Sequence, residues 1–441
     1  MARSFSKGDP GKVAYTNARL IDPWKDLDEA GSLLTEGNRI AEVGPGLFAD
    51  GIPDGIRTVD CGGNVLAPGL IDMRAFLGEP GFEHKETLAT GTEAAAVGGV
   101  TTVICLPGTD PVIDDTALVE YIERRAREDA VVRVHPMGAL TNGTEGREMT
   151  EMGLLAEAGA VAFTDGDRAV ADAQLMRRAL AYASGLDLLI VQHIEEAALA
   201  SAGCMNEGEL ALRLGLPSIP VAAEVIALER DLQLVELTGG RYHAACISAG
   251  ETVARLQQAK AKGLPVSAGV AVHHFALNET AVGEYRSFAK TSPPLRAEED
   301  RQALIQGMRD GTIDVIVSDH SPQDQESKRQ PFIQAANGIA GLETMLPLAL
   351  ELHHNGSVPL MRVLEMMTAA PARLLGLDVG RLEVGAPADL AVIDIDTPWR
   401  LSEDGLVAKS KNTPFDGRPV QGRALRTVVA GHTVYEFAAL T

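Results

Sequence analysis

Through the middle of the chain, short apolar runs alternate with helical spacing, while both ends carry brief strand patterns separated by turn residues. The runs lie at 65–72, 100–106, 132–139, 160–164, 187–192, 242–248, 265–272 and 314–318. Between them, 116–128, 172–183, 251–262 and 298–309 place apolar side chains at i, i+3 and i+4, the period of an amphipathic helix. Eight strand–helix units over about 300 residues predict an α/β chain folded as a (β/α)8 TIM-type barrel, with functional groups at the strand C-termini. A doubly wound sheet is the rival, but it leaves the split β segments at the two ends without a place. Those segments (13–15, 32–34, 39–43 and 56–59, then 389–394 and 425–435) predict one small composite β-sandwich. The division expected is 1–66 and 377–441 for the sandwich and 67–376 for the barrel.

Composition narrows the function classes. The formal net charge is −22, which excludes the basic surfaces that nucleic acid or an anionic membrane requires. Cys61, Cys105, Cys204 and Cys246 are widely spaced with no Cys-x-x-Cys, as expected of a reduced, cytoplasmic protein. Residues 1–7 open no apolar leader segment, and no apolar run is long enough to span a bilayer. Met361, Met366 and Met367 share helical spacing with Leu364 and read as helix core. His84, His135, His273-His274 and His353-His354 read as structural or surface residues.

The segment Pro68-Gly69-Leu70-Ile71-Asp72-Met73-Arg74-Ala75-Phe76-Leu77-Gly78-Glu79-Pro80-Gly81 resembles the first barrel strand of the dihydroorotase family of the amidohydrolase superfamily, which carries His-x-His followed by Leu-Arg. Here Arg74 and Phe76 stand at the histidine positions, and Gly78 at the arginine. A guanidinium has no lone pair to give a metal and a phenyl ring has no donor atom. Further segments carry the same resemblance: Leu106-Pro107-Gly108-Thr109, Phe163-Thr164-Asp165-Gly166, Gln192-His193-Ile194-Glu195, Cys246-Ile247-Ser248, Lys290-Thr291-Ser292-Pro293-Pro294-Leu295-Arg296 and Ser318-Asp319-His320-Ser321-Pro322-Gln323. So do the segments that begin at Asn337, Ala370, Gly385 and Asn412, and the likeness runs from about Asn17 to Tyr435.

The resemblance implies metal-ligand positions at Arg74, Phe76, Asp165, His193, Cys246 and Asp319, of which Asp165, His193, Asp319 and possibly the thiol of Cys246 remain as a remnant set. It implies substrate-contact positions at Gly78, Gly108, Ser292 and Gln323, each lacking the family's polar side chain. Losing ligands and substrate contacts together leads to the expectation of a catalytically inactive, cofactor-free protein of pyrimidine biosynthesis. By family analogy alone it would be a structural or regulatory subunit, oligomeric, with aspartate carbamoyltransferase as partner. The alternative is an active cyclic amidohydrolase (dihydroorotase, or hydantoinase- or allantoinase-like) using zinc, with Asp319 as general base. A metal-free ligand-binding barrel is a third reading. Arg74 is expected to pair with Asp165 and Asp319 in place of the missing cations.

Overall fold

The structure, a computed structural model, describes residues 10–438; the reading of the N-terminal seven residues lies outside them. Barrel strands one to three are Leu70–Ala75, Val100–Cys105 and Arg133–Pro136, paired in parallel. Strands five to eight are Leu189–His193, Arg241–Ala245, Val266–Ala271 and Val315–Val317, also parallel. The expected fourth strand, 160–164, contracts to bridges that Phe163 makes with Gly138 and Ile190. A parallel bridge from Ala75 to His320 closes the barrel between strands eight and one.

Two apolar runs read as single strands are divided. Val65–Pro68 pairs antiparallel with Leu390–Ile393 in the terminal sheet, and only Leu70–Ala75 enters the barrel. The change of partner falls at Gly69, whose N–H donates to the Asp389 carbonyl, and where a Cβ would lie 2.1 Å from Thr101 side-chain atoms. The run 425–435 is likewise a hairpin, Pro419–Val429 then His432–Glu436. Its turn has positive φ at both Ala430 (49°) and Gly431 (79°), the twist that antiparallel strands favour in a two-residue loop. Strands from both chain ends thus share one eight-stranded sheet, with Val65–Pro68 bridging the N-terminal strand Lys12–Asp22 and the C-terminal strand Leu390–Arg400.

The helices fall within a residue or two of their expected bounds: Thr116–Asp129, Ala173–Ser184, Gly250–Ala261 and Glu298–Asp310. Asp115 and Asp172 cap the first two by accepting from backbone N–H groups one turn in. Ala222–Thr238, the longest described helix, escapes a periodicity reading because it buries Glu224 and Asp231 along with its apolar residues. Met366 and Met367 are fully buried in the main core. Among the described residues, no helix is long and apolar enough to cross a membrane.

Sheet and barrel are joined by a buried carboxylate. Asp389 accepts from Arg133 Nε at 2.6 Å, Arg133 Nη2 at 3.2 Å and the Ala430 N–H at 2.7 Å. Asp389→Ala leaves that N–H and the guanidinium without their acceptor, so the urea unfolding midpoint should fall by the equivalent of about 2 kcal/mol. Unchanged stability would remove this contact from the account of how the two parts hold together.

Candidate functional site

The strand C-termini converge on Arg74. It projects from strand one, is 3% exposed, and its Nε donates to Asp319 Oδ1 at 2.7 Å. Its Nη2 donates to Asp167 Oδ1 and lies 3.4 Å from the Gly166 carbonyl, while Nη1 is buried with no partner. Burial opposes its charge, but Cys246, Asp319 and Asp167 beside it hold its pKa above the usual arginine value. Asp165 is not part of this cluster, contrary to the expected pairing. Its Oδ1 accepts from the Thr141 N–H at 2.8 Å and its Oδ2 from Thr141 Oγ1 at 2.5 Å, and burial raises its pKa. Two residues further on, Asp167 takes the place expected of Asp165.

The other remnant positions are buried but do not form a ligand set. Cys246, at the end of strand six, is buried, and burial first and then Asp319 push its thiol pKa up. His193 is 1% exposed and neither ring nitrogen has a hydrogen-bond partner. Phe76 turns its ring toward Phe82, centroids 5.7 Å apart. Among the described residues, no group of three or more His, Cys, Asp or Glu side chains is placed to hold a metal ion. The divalent metals implied by the family resemblance therefore do not fit here: a fixed cation already sits between Asp319 and Asp167, and Asp165 is bonded elsewhere.

The substrate-contact positions differ from one another. At Gly78 (φ 68°) a Cβ would meet the Glu86 carbonyl oxygen at 2.4 Å and that of Phe82 at 2.8 Å, so no longer side chain fits without moving the loop. Gly108 faces open space, with nothing within 4 Å of a Cβ. Ser292 is half-buried in the segment after strand seven. Gln323 Nε2 donates to the Asn337 carbonyl at 2.9 Å.

Two site residues, His273 and Asp167, were missed in the sequence, as was one buried cation, Lys328. His273, read there as structural or surface, is 1% exposed, with Nε2 3.8 Å from Asp319 Oδ2 and neither ring nitrogen hydrogen-bonded. Burial drives its pKa well down, so it is a neutral imidazole. Asp167 carried a signal only as part of Asp165-Gly166-Asp167, where the turn decides which carboxylate points inward. Lys328, in the segment leaving strand eight, is 1% exposed and donates to the Lys290 and Ala336 carbonyls at 3.0 and 2.8 Å.

Chain-wide comparison gives the ancestry of this site. Residues 63–252 match a family model described as dihydro-orotase-like. A protein named dihydroorotase from Wolbachia sp. subsp. Brugia malayi is 45% identical over 426 residues, covering 96% of both chains. Another of that name, from Geotalea daltonii, is 46% identical over 424 residues, covering 96% of this chain and 99% of its own. The chain belongs to the dihydroorotase family. In fold it is similar to the L-hydantoinase (dihydropyrimidinase) of Arthrobacter aurescens, with a TM-score of 0.86, 26% identity and 96% of each chain covered. Among dihydropyrimidinases, the Brevibacillus agri structure shares the fold with a TM-score of 0.82 at 21% identity. The family expectation and the α/β barrel with a separate terminal sheet stand; the relatives' names favour the active dihydroorotase over the inactive subunit.

Burial, with Lys290 adding to it, lowers the Lys328 pKa from the ordinary 10.5 to about 7. An unfolded lysine keeps its proton up to its ordinary value, so between pH 7 and 10 the unfolded chain binds the extra proton and stability rises with pH. The thermal midpoint should therefore fall as pH drops from 9 to 7, and Lys328→Met should flatten that slope; equal slopes for the two proteins would contradict a neutral buried lysine.

Proposed function

We propose that this chain serves pyrimidine biosynthesis as a dihydroorotase-family protein whose barrel centre works without metal, and that it acts as a non-catalytic partner of aspartate carbamoyltransferase. The observation that carries the metal-free centre is Arg74: a buried guanidinium, on the strand where the family places His-x-His, donating to Asp319, the carboxylate to which the family resemblance gives the roles of ligand and base. With Asp319 held in that ion pair, a general base is tied to a cation that cannot leave. The partner is taken from family analogy, and an oligomeric assembly goes with it.

A second reading, an active dihydroorotase, is supported by a separate observation: relatives at about 45% identity across 96% of this chain bear that name. The comparisons favour this reading and the side chains at the barrel centre favour the first. Activity would require Asp319 to be released from Arg74 and a ligand set other than the one these residues offer.

The deciding experiment follows dihydroorotate hydrolysis by the purified chain with and without added zinc, and tests co-elution with the aspartate carbamoyltransferase of the same cell. The non-catalytic reading predicts no turnover in either condition and a shared elution peak. Zinc-dependent turnover lost in Asp319→Asn would establish the second reading, and separate elution would remove the transferase as partner.

A further inference from the structure

Away from the barrel centre, a cation of the terminal sheet lacks a fixed counter-charge. Arg423 lies on the strand Pro419–Val429, and its guanidinium carbon sits 4.0 Å from the ring centre of Trp399 and 4.4 Å from that of Phe437. Stacking on aromatic faces occupies the plane of a guanidinium and leaves its N–H edge for an acceptor. Here that edge is unanswered at Nε, which is buried with no hydrogen-bond partner.

The carboxylates around it are engaged elsewhere. Asp394, opposite Arg423 in the register between the two strands, accepts through Oδ1 from the Asp396 and Thr397 N–H groups at 2.8 and 3.0 Å. Glu343 accepts from the Val407 N–H at 2.8 Å and the Ala408 N–H at 2.9 Å. Glu436 pairs with Arg426.

Arg423 lines a cavity of about 240 Å³ between the terminal sheet and the helices Leu88–Val97 and Met345–His354. Trp399, Tyr435 and Phe437 form its sheet side, and Leu346 and Pro347 its helix side. Trp399 is fixed in place, because its Nε1 donates to the Gly422 carbonyl at 2.9 Å. Of the other charged residues on the walls, Glu343 is bonded as above and Arg400 donates to the Gly417 carbonyl at 2.8 Å, so Arg423 is the open charge. The volume falls below the roughly 300–1,000 Å³ of pockets for drug-sized molecules and suits a single ring with an acid group.

We infer that this cavity binds a small aromatic carboxylate, with Arg423 as its anchor. The ligand's carboxylate accepts from the guanidinium edge that the protein leaves unpaired, a charge-assisted contact. Its ring lies against Trp399, Tyr435 and Leu346, where aromatic contact adds to the burial of apolar surface. An uncharged molecule of the same shape forfeits the first contact, and a bare anion forfeits the second. No residue of the barrel centre takes part, so the inference is independent of whether that centre is catalytic.

The probe is benzoate, titrated calorimetrically into the full chain beside benzamide and acetate. Benzoate should bind, and the other two should bind at least about tenfold more weakly. Arg423→Gln should weaken benzoate by about the same factor, whereas Arg426→Gln, on the same strand but paired with Glu436, should leave it unchanged. The chain has two tryptophans, so Trp24→Phe leaves Trp399 as the sole reporter. Its fluorescence should change with the affinity found by calorimetry, which locates the site with Arg423 intact. No binding of benzoate, equal binding of benzamide or acetate, undiminished binding in Arg423→Gln, or Trp399 emission indifferent to saturating benzoate would each overturn the inference.

Discussion

The ion pair between Arg74 and Asp319 is the contact on which the rest of the barrel centre depends. It spans the seam at which strand eight meets strand one, beside the Ala75–His320 bridge that closes the barrel. The same seam holds Asp72, whose carboxylate accepts from the Ser318 N–H at 3.0 Å and from the Ser318 hydroxyl. Asp319 itself sits at a φ of 47°, a left-handed conformation that costs energy outside glycine and that surrounding contacts must hold in place. Cys246, facing it from strand six, has the same φ of 47°. Two strained strand ends and a buried guanidinium thus form one locked unit: removing Arg74 leaves Asp319 without its cation, and removing Asp319 leaves Arg74 with only the exposed Asp167.

That lock gives the substitutions in the sequence a common physical sense. With a guanidinium in the middle of the strand C-termini, a phenyl ring at 76 and a thiol at 246 pack beside it without supplying a further charge. Asp165 is freed from the centre and serves the local structure through Thr141, while Asp167 turns inward to supply the charge that Arg74 requires. At a position where the family resemblance implies a metal ligand, this chain carries a fixed cation on the same barrel. The names of the relatives and the side chains of this centre pull in different directions.

Much of the architecture was legible in the sequence because hydrophobic period and helix caps are local signals. Strands one, two and five to eight and four major helices follow directly from them. What escaped depends on partners distant in sequence. The run from Val65 to Asp72 looks continuous, and only the Asp389 carbonyl and Thr101 explain why it divides at Gly69. Phe163 has too few ladder partners for a strand, which its apolar neighbours conceal. At the site, Arg74, Phe76 and Cys246 could be singled out from the family pattern, but the choice between Asp165 and Asp167 lies in a turn at Gly166, and the burial of His273 and Lys328 is a tertiary property with no periodic signature. Gly78 and Gly108 look alike as lost contacts; the fold separates them, since one is closed by carbonyl oxygens and the other faces open space.

The central claim, that a guanidinium has taken the place of the metal, is tested most directly by measuring bound zinc per chain after equilibration with zinc and removal of the unbound ion, in the native protein and in Asp319→Asn. The account predicts far less than one equivalent in both. One or more equivalents in the native chain, lost in Asp319→Asn, would contradict it and would mean that Arg74 yields its carboxylate to a metal.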